Sequence, residues 1–130
     1  MSKQEQTPYQ GLGGEAALRQ LVVRFYELMA TLPEAQQIRA MHPQDLSGSS
    51  DKLFKFMSGW LGGPPRYVEE FGNPFLRARH LPFAIGDAER DAWMFCMTKA
   101  IEEIKLEDEF LKQHLLHTLQ ALADHMRNQS

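Results

Sequence analysis

Five histidines are the most versatile side chains of this sequence near neutral pH, because imidazole can bind a metal or carry a proton. They are His42, His80, His114, His117 and His125. His114 and His117 are spaced i, i+3 on a predicted helix, which could chelate a metal, but a leucine stripe already occupies that helix. No Asp or Glu follows them within a turn. A solvated helix face is therefore the favoured interpretation of this pair, and of His125.

His80 has a different context, because it follows a long irregular segment and lies between Pro74 and Pro82. A histidine at the end of a short helix can point into a cavity and bind a metal there. The neighbouring Arg77 and Arg79 could pair with carboxylates. From spacing alone, two interpretations stay open, a structural histidine and a ligand, and the structural one is favoured.

Two aromatic residues with polar tips, Tyr26 and Trp93, lie on predicted helix stripes or their flanks. Most aromatic side chains at such positions belong to the core. A buried phenol or indole group nevertheless needs a hydrogen-bond partner, and a bound ligand could be that partner. The sequence contains no glycine-rich phosphate loop, no Ser-His-Asp arrangement and no HExxH motif.

The composition is that of one soluble domain of 130 residues, with 14 Lys and Arg, 17 Asp and Glu, and a net charge of −3. This balance argues against a generally basic nucleic-acid binder. The single cysteine, Cys96, excludes an intrachain disulfide and a cysteine-based zinc site. The polar N-terminus and the lack of a long apolar run predict a cytoplasmic protein with no membrane segment.

Apolar residues recur at helical spacing along most of the chain, and no strand-like alternation is present, so the predicted class is all-α. We expect a loose tail over residues 1–10 and a single domain over 11–130. Gly62 to Pro74 reads as a long irregular segment, and Ser49 or Ser50 and Asp87 as helix caps. The predicted helices are 15–30, 34–40, 49–61, 75–79, 87–105 and 107–126. The four long ones each carry an apolar stripe predicted to be buried. The stripes are Leu18, Leu21, Val22, Phe25, Leu28 and Met29; Leu53, Phe56, Met57, Trp60 and Leu61; Trp93, Met97, Ala100, Ile101 and Ile104; and Leu111, Leu115, Leu119, Leu122 and Met126.

Several segments, taken together and in order, resemble the group II truncated haemoglobins. The resemblance covers the chain from Tyr9 to about Met126. It rests on Leu12-Gly13-Gly14, Arg24-Phe25-Tyr26, His42-Pro43-Gln44-Asp45-Leu46, Leu61-Gly62-Gly63-Pro64-Pro65, Arg77-Ala78-Arg79-His80-Leu81-Pro82-Phe83 and Glu89-Arg90-Asp91-Ala92-Trp93.

This resemblance implies a two-over-two helical sandwich around haem b. The pairs would be helix 15–30 with 49–61, and helix 87–105 with 107–126. His80 would be the proximal iron ligand, because it holds the matching position before Leu-Pro-Phe. The irregular segment before it would replace most of the helix that carries this histidine in full-length globins.

On the distal side, the family pattern points to Tyr26, His42 and Trp93, and Ser49 and Leu53 match two further positions. The Trp93 indole would donate to an iron-bound ligand. Leu53 is apolar where some relatives carry Gln, so one hydrogen bond would be absent. His42 departs from the more usual Tyr or Phe, and three roles stay open: donating a hydrogen bond, orienting Tyr26, or ligating ferric iron.

The remaining haem contacts would be an apolar wall and cations for the propionates. Arg79 is the favoured propionate partner because it adjoins His80, and Arg77 and Lys52 are further candidates. The wall candidates are Phe25, Phe56, Leu76, Phe83 and Met97.

The implied function is binding of O2, CO, NO or peroxide at a histidine-ligated iron with a polar distal pocket. The first alternative is an enzyme, a haem peroxidase or nitric oxide dioxygenase acting with a reductase partner. The second is a haem-free helical interaction module. The protein would be a monomer or a homodimer.

Overall fold

The computed structural model describes residues 7–129, and within this range the regular secondary structure is helical throughout. The all-α prediction is therefore confirmed. A 3₁₀ turn, Pro33–Ala35, separates the second helix from the third. The α-helices are α1 (Pro8–Leu12), α2 (Gly14–Thr31), α3 (Gln36–Ala40), α4 (Ser47–Trp60), α5 (Arg66–Phe71), α6 (Leu76–His80), α7 (Asp87–Glu103) and α8 (Glu109–His125).

The four long helices pack as two pairs in contact with each other. Helix α2 packs against α4, helix α7 packs against α8, and α2 and α7 join the pairs at the centre. These are the two pairs that the sequence predicts. None of the helices within residues 7–129 is long and apolar enough to be a membrane span.

The core lies where α2 meets α4 and α7. Every residue of the predicted α2 stripe is buried, and Phe25 is fully buried at its centre. Burying a large apolar side chain contributes about 1.5–3 kcal/mol, so this stripe accounts for much of the drive to fold. The stripe is Leu18, Leu21, Val22, Phe25, Leu28 and Met29.

The predicted stripe of α4 is only partly core. Leu53, Phe56 and Trp60 are half-buried, whereas Phe54, which the stripe omits, is fully buried. The reason is that one edge of α4 faces a cavity rather than another helix, so apolar residues on that edge keep some exposed surface. An apolar stripe therefore marks both the core and the cavity wall.

Residues 7–10, which the sequence assigns to a loose tail, contain the cap and the first residues of α1. Thr7 caps α1 through a capping box, in which Gln10 N donates to Thr7 Oγ1 at 3.2 Å and Thr7 N donates to Gln10 Oε1 at 3.2 Å. Leu12 is buried, and Tyr9 N donates to Leu61 O at 3.0 Å. Residues 7–10 are thus attached to the domain, while residues 1–6 lie outside the described range.

Two predicted helix caps and one predicted helix start differ from the structure. Helix α4 begins at Ser47, where Asp45 Oδ1 accepts the Ser47 N–H at 2.9 Å, so neither Ser49 nor Ser50 is its cap. Asp87 is the first residue of α7, and Gly86 precedes it as the cap. Helix α8 begins at Glu109, with Asp108 Oδ1 accepting from Leu111 N at 3.1 Å. Asp45 accepts from a backbone N–H two residues on and Asp108 from one three residues on, so neighbouring polar residues compete for the cap position.

The segment from Gly62 to Pro74 is not irregular throughout, because it contains the short helix α5. Tyr67 of this helix is buried, and its ring lies 6.4 Å from that of Phe56. Ser58 Oγ donates to Pro64 O at 2.8 Å and fixes the turn before the helix. Gly63 is required there, since a Cβ would lie 2.5 Å from ring atoms of Tyr9.

Candidate functional site

A cavity of about 390 Å³ opens between the helices, with a mainly apolar lining. Its size and character are typical of sites for small molecules and cofactors. The structure brings most of the sequence-predicted site residues to this one place. Those that line it are Tyr26, His42, Ser49, Lys52, Leu53, Phe56, Leu76, His80, Phe83 and Trp93.

His80 is the last residue of the short helix α6. Its Nδ1 lies 2.6 Å from the carbonyl oxygen of Leu76, one turn earlier. A carbonyl oxygen only accepts hydrogen bonds, so Nδ1 carries the proton in this contact. In the neutral ring, Nε2 then keeps its lone pair. This is the arrangement in which histidines bind metals, with the second nitrogen fixing the tautomer and the ring orientation.

Local geometry before His80 sets the direction of α6. Phe75 adopts a left-handed conformation, with φ of 46° and ψ of 49°, immediately before the helix. Its N–H donates to Asn73 Oδ1 at 3.0 Å, a turn that the sequence Asn-Pro favours. The chain therefore reverses sharply at this point, which allows a five-residue helix to present His80 to the cavity.

His42 also lines the cavity and has the same local contact. Its Nδ1 lies 2.7 Å from the carbonyl oxygen of Ile38, so that nitrogen also carries the proton. Neutral His42 consequently offers an acceptor at Nε2 and has no second N–H. Of its three predicted roles, donation by the neutral ring is excluded by this geometry. The ring packs edge-on against Tyr26, with 5.8 Å between centroids.

Tyr26 and Trp93 bring two hydrogen-bond donors to the cavity. Both rings pack edge-on against the buried Phe25, at centroid distances of 4.9 and 5.1 Å. Within residues 7–129, neither the phenol O–H nor the indole N–H donates to a protein group. Burial raises the pKa of Tyr26, so its hydroxyl stays protonated and remains a donor. The two donors thus fit an acceptor atom of a bound ligand.

One edge of α4 supplies the adjoining wall. Ser49, Lys52, Leu53 and Phe56 follow one another at helical spacing and all reach the cavity. Ser49 brings a hydroxyl, Leu53 and Phe56 are apolar, and Lys52 brings a cation. Lys52 forms no ion pair within the described part of the chain, although its Nζ lies 5.8 Å from the ring centroid of Phe71.

Four predicted haem-contact residues lie away from the cavity lining. Phe25 and Met97 are fully buried in the core behind it, because the α2–α7 contact covers them. Arg77 is directed to the C-terminus, where its Nη1 donates to the carbonyls of His125 and Arg127, each at 2.8 Å. Arg79 is exposed, and its Nε donates to Pro74 O at 2.7 Å.

The sequence interpretation missed several lining residues. The sequence predicts Leu122 and Met126 on the apolar stripe of α8, and apolar residues at helical spacing do not show whether they face another helix or a cavity. Arg90 is another lining residue that the interpretation missed. Its guanidinium contacts the carboxylates of Asp124 and Asp91, at 2.9 Å each, and these hydrogen bonds raise its pKa. The others are Ile38, Met41, Pro43, Ile85, Glu89 and Ala123.

The metal-binding side chains that line the cavity fit a metal ion that is already coordinated by a cofactor. Within residues 7–129, no three His, Cys, Asp or Glu side chains come together as a metal site. A free metal ion would need such a group of side chains. The iron of a porphyrin already has four nitrogen ligands and needs only one or two more from the protein. An apolar cavity lined by oriented imidazoles therefore fits haem.

The other three histidines, His114, His117 and His125, are exposed on α8 and lie outside the cavity lining.

Comparison with known proteins agrees with this site. The family model "Bacterial-like globin" matches residues 7–128. The group 2 truncated hemoglobin YjbI of Bacillus subtilis is 42% identical over 130 residues, covering 100% of this chain and 95% of that protein.

Solved structures extend the likeness to the backbone. The group II 2-on-2 hemoglobin of Agrobacterium tumefaciens is 48% identical, with a TM-score of 0.93 and coverage of 100% of both chains. The cold-adapted truncated hemoglobin of Pseudoalteromonas haloplanktis is 42% identical, with a TM-score of 0.91, covering 96% of this chain and 100% of that one. The chain therefore belongs to the bacterial-like globins and, among them, to the group II truncated haemoglobins.

Proposed function

We propose that this chain holds haem b through His80 and binds O2 tightly on the opposite side, beside Tyr26, His42 and Trp93. Membership of the globin family makes it a haem protein that binds diatomic ligands. The observation that carries the finer proposal is the position of His80. Its ring lines the same cavity as the Tyr26 and Trp93 donors, and its Nδ1 is already bonded to Leu76 O.

When bound, haem would supply an iron centre for diatomic ligands, and the surrounding residues would determine its affinity. His80 would offer Nε2 to the metal, in an orientation that the 2.6 Å contact to Leu76 O maintains. The apolar lining would exclude water and stabilise the porphyrin by burial. Leu53, Phe56, Leu76 and Phe83 would form much of that contact.

On the distal side, the unpaired hydrogens of Tyr26 and Trp93 would stabilise negative charge on a diatomic ligand. A hydrogen bond to a charged acceptor is worth about 1.5–3 kcal/mol. His42 would offer Nε2 as a second acceptor, so it would compete with the ligand for the one hydrogen of the Tyr26 hydroxyl. Slow release of O2 follows from such donors, and a solved relative from Bacillus subtilis is named an oxygen-avid truncated haemoglobin.

For the propionates, the geometry favours Lys52 over the two arginines expected from the sequence. Lys52 lines the cavity, and its ammonium group forms no ion pair among the described residues. Arg77 uses its guanidinium on two main-chain carbonyls, and Arg79 uses its Nε on a third. A charge-assisted contact from Lys52 to a propionate is the expected arrangement.

The test is an absorption spectrum of the purified protein after haem is supplied. We expect a ferrous–CO spectrum with a histidine-ligated Soret band, and a pyridine haemochromogen of haem b. A protein that stays colourless would contradict the proposal and would favour the haem-free interaction module.

The same two donors also favour a second candidate, because peroxide oxygens accept hydrogen bonds as O2 does. A peroxidase or nitric oxide dioxygenase would further need a reductase partner. Rapid turnover of peroxide or NO with a physiological reductant would support this enzyme, and reversible O2 binding without turnover would contradict it. The reductase, the cytoplasmic location and the choice between monomer and homodimer stay predictions.

A further inference from the structure

The residues after α8 lie across the loop that follows His80. We call residues 125–129 the C-terminal clamp. Asn128 N donates to Ile85 O at 2.8 Å, and Gln129 N donates to the same oxygen at 3.1 Å. The clamp is thereby attached to the 81–86 loop along its main chain.

The side chain of Asn128 makes the most specific contacts of the clamp. Its Nδ2 donates to Phe83 O at 2.8 Å and to His80 O at 3.2 Å, while its Oδ1 accepts from Ile85 N at 3.0 Å. All three partners are main-chain atoms that belong to or follow the last residue of α6. A side-chain amide suits these three atoms, because its NH2 group can donate to both carbonyl oxygens while its oxygen accepts from the N–H.

Arg77 attaches the other end of the clamp to α6. It lies one turn before His80, and its Nη1 donates to the carbonyls of His125 and Arg127, each at 2.8 Å. These carbonyls are at the end of α8, where helical partners are lacking. Helix α6 is therefore tied to the clamp at Arg77 and again at the His80 carbonyl.

Helix α6 needs such external support. It has five residues, none of them is buried, and an isolated helix of this length is unstable. The contact of His80 Nδ1 with Leu76 O orients the ring relative to the helix, but the helix itself has no buried residue to fix it relative to the cavity. The contacts from the clamp, at Arg77 and at the His80 carbonyl, supply that restraint.

We propose that Asn128 is a positioning residue for His80, holding the main chain of the histidine so that its Nε2 stays aimed at the haem iron. This inference rests on the proposed function, since it takes His80 as the iron ligand. A merely structural role would lower thermal stability in the variants but leave the iron–histidine bond unchanged.

The test compares the haem-loaded wild type with Asn128→Asp, which keeps the acceptor for Ile85 N and removes the donors to His80 O and Phe83 O. We expect haem loss to an acceptor protein to become about tenfold faster, as for the loss of two net hydrogen bonds. We also expect the iron–histidine stretching band of the ferrous protein to shift in resonance Raman spectra. His125→Ala is the matched control, because it removes an exposed side chain of the clamp and keeps the carbonyl that Arg77 contacts.

Each result has one meaning. A wild type without an iron–histidine band would overturn the proposed function and this inference together. A wild type with the band, and an Asn128→Asp variant with the same band whatever its rate of haem loss, would overturn the inference alone. If Asn128→Asp does not fold, Arg77→Gln breaks the other end of the clamp, and the same two measurements decide.

Discussion

The two histidines that line the cavity, His42 and His80, have nearly the same local hydrogen bonding. Each follows the pattern Arg-Ala-x-His, over residues 39–42 and 77–80. Each donates from Nδ1 to the carbonyl four residues earlier, at 2.7 Å for His42 and 2.6 Å for His80. Local sequence thus gives both rings the same tautomer and leaves a lone pair on both Nε2 atoms.

Their surroundings differ, beginning with the arginine three residues before each ring. Arg39 donates to Pro43 O at 2.9 Å and Gln44 O at 2.8 Å, so it holds only the adjacent turn. Arg77 instead reaches carbonyls at the end of α8, far along the chain. The same four-residue pattern therefore makes a locally closed turn at His42 and, at His80, a turn anchored to a distant segment of the chain.

The largest expected effect comes from removing one ring or the other. We expect His80→Ala to lose the histidine-ligated haem spectrum and to recover it on addition of free imidazole, whereas His42→Ala keeps it. Ferrous–CO absorption spectra measure this difference. His117→Ala, on the exposed face of α8, is the control. If His42→Ala lost the spectrum and His80→Ala kept it, the proximal and distal assignments would have to be exchanged.

Trp93→Phe tests the distal donors with the next largest effect. Removing the indole N–H takes away a hydrogen bond worth about 1.5–3 kcal/mol, so O2 dissociation is expected to become about ten- to a hundredfold faster. Stopped-flow displacement of O2 by CO measures the rate. Trp60→Phe is the matched control, because Trp60 stacks on Phe56, 6.2 Å between centroids, outside the cavity lining. An unchanged rate for Trp93→Phe would remove this residue from the ligand network.

His42→Phe should have a smaller effect, in the opposite direction. It keeps an aromatic ring against Tyr26 and removes the Nε2 acceptor, so the Tyr26 hydroxyl is left with the bound ligand as its main acceptor. O2 dissociation is then expected to slow by less than about tenfold, within the worth of one hydrogen bond. Faster dissociation would contradict the acceptor role. A changed ferric spectrum would instead identify His42 as an iron ligand.

The smallest effect concerns the ion pair that ties the two donor-bearing helices together. Arg24 of α2 contacts Glu103 of α7 through two bonds, 2.6 and 2.9 Å long. The hydrogen bond from Arg24 lowers the pKa of Glu103, so its contribution to stability is present above the ordinary value of about 4.3 and is lost as the pH falls through the lowered pKa.

We therefore expect Glu103→Gln to be less stable than the wild type at pH ~7 and equal to it at strongly acidic pH. The difference should stay below about tenfold in the unfolding equilibrium constant, because the pair is exposed. Urea unfolding at both pH values measures it. Glu102→Gln, an exposed neighbour with no ion pair within residues 7–129, should match the wild type at both. A deficit that grows on acidification would contradict the assignment.

Periodicity predicted the long helices well, since burial of one helix face follows directly from the spacing of apolar residues. It did not separate the part of a stripe that faces another helix from the part that faces a cavity. Leu53, Phe56 and Leu122 line the cavity although their spacing is that of core residues. Helix α5 also went unpredicted, because the four breakers before it, Gly62 to Pro65, dominate the local pattern.

By itself, the sequence determined the helical class, and through the family resemblance it also predicted the pairing of the long helices and the residues to place around a haem. The tautomer of each cavity histidine follows from its contact with the carbonyl four residues earlier, which the structure shows. Only the tertiary structure decided where the arginines are directed and what holds His80 in place. Asn128 lies 48 residues from His80, and such a contact exists only once the α7–α8 pair has closed on itself.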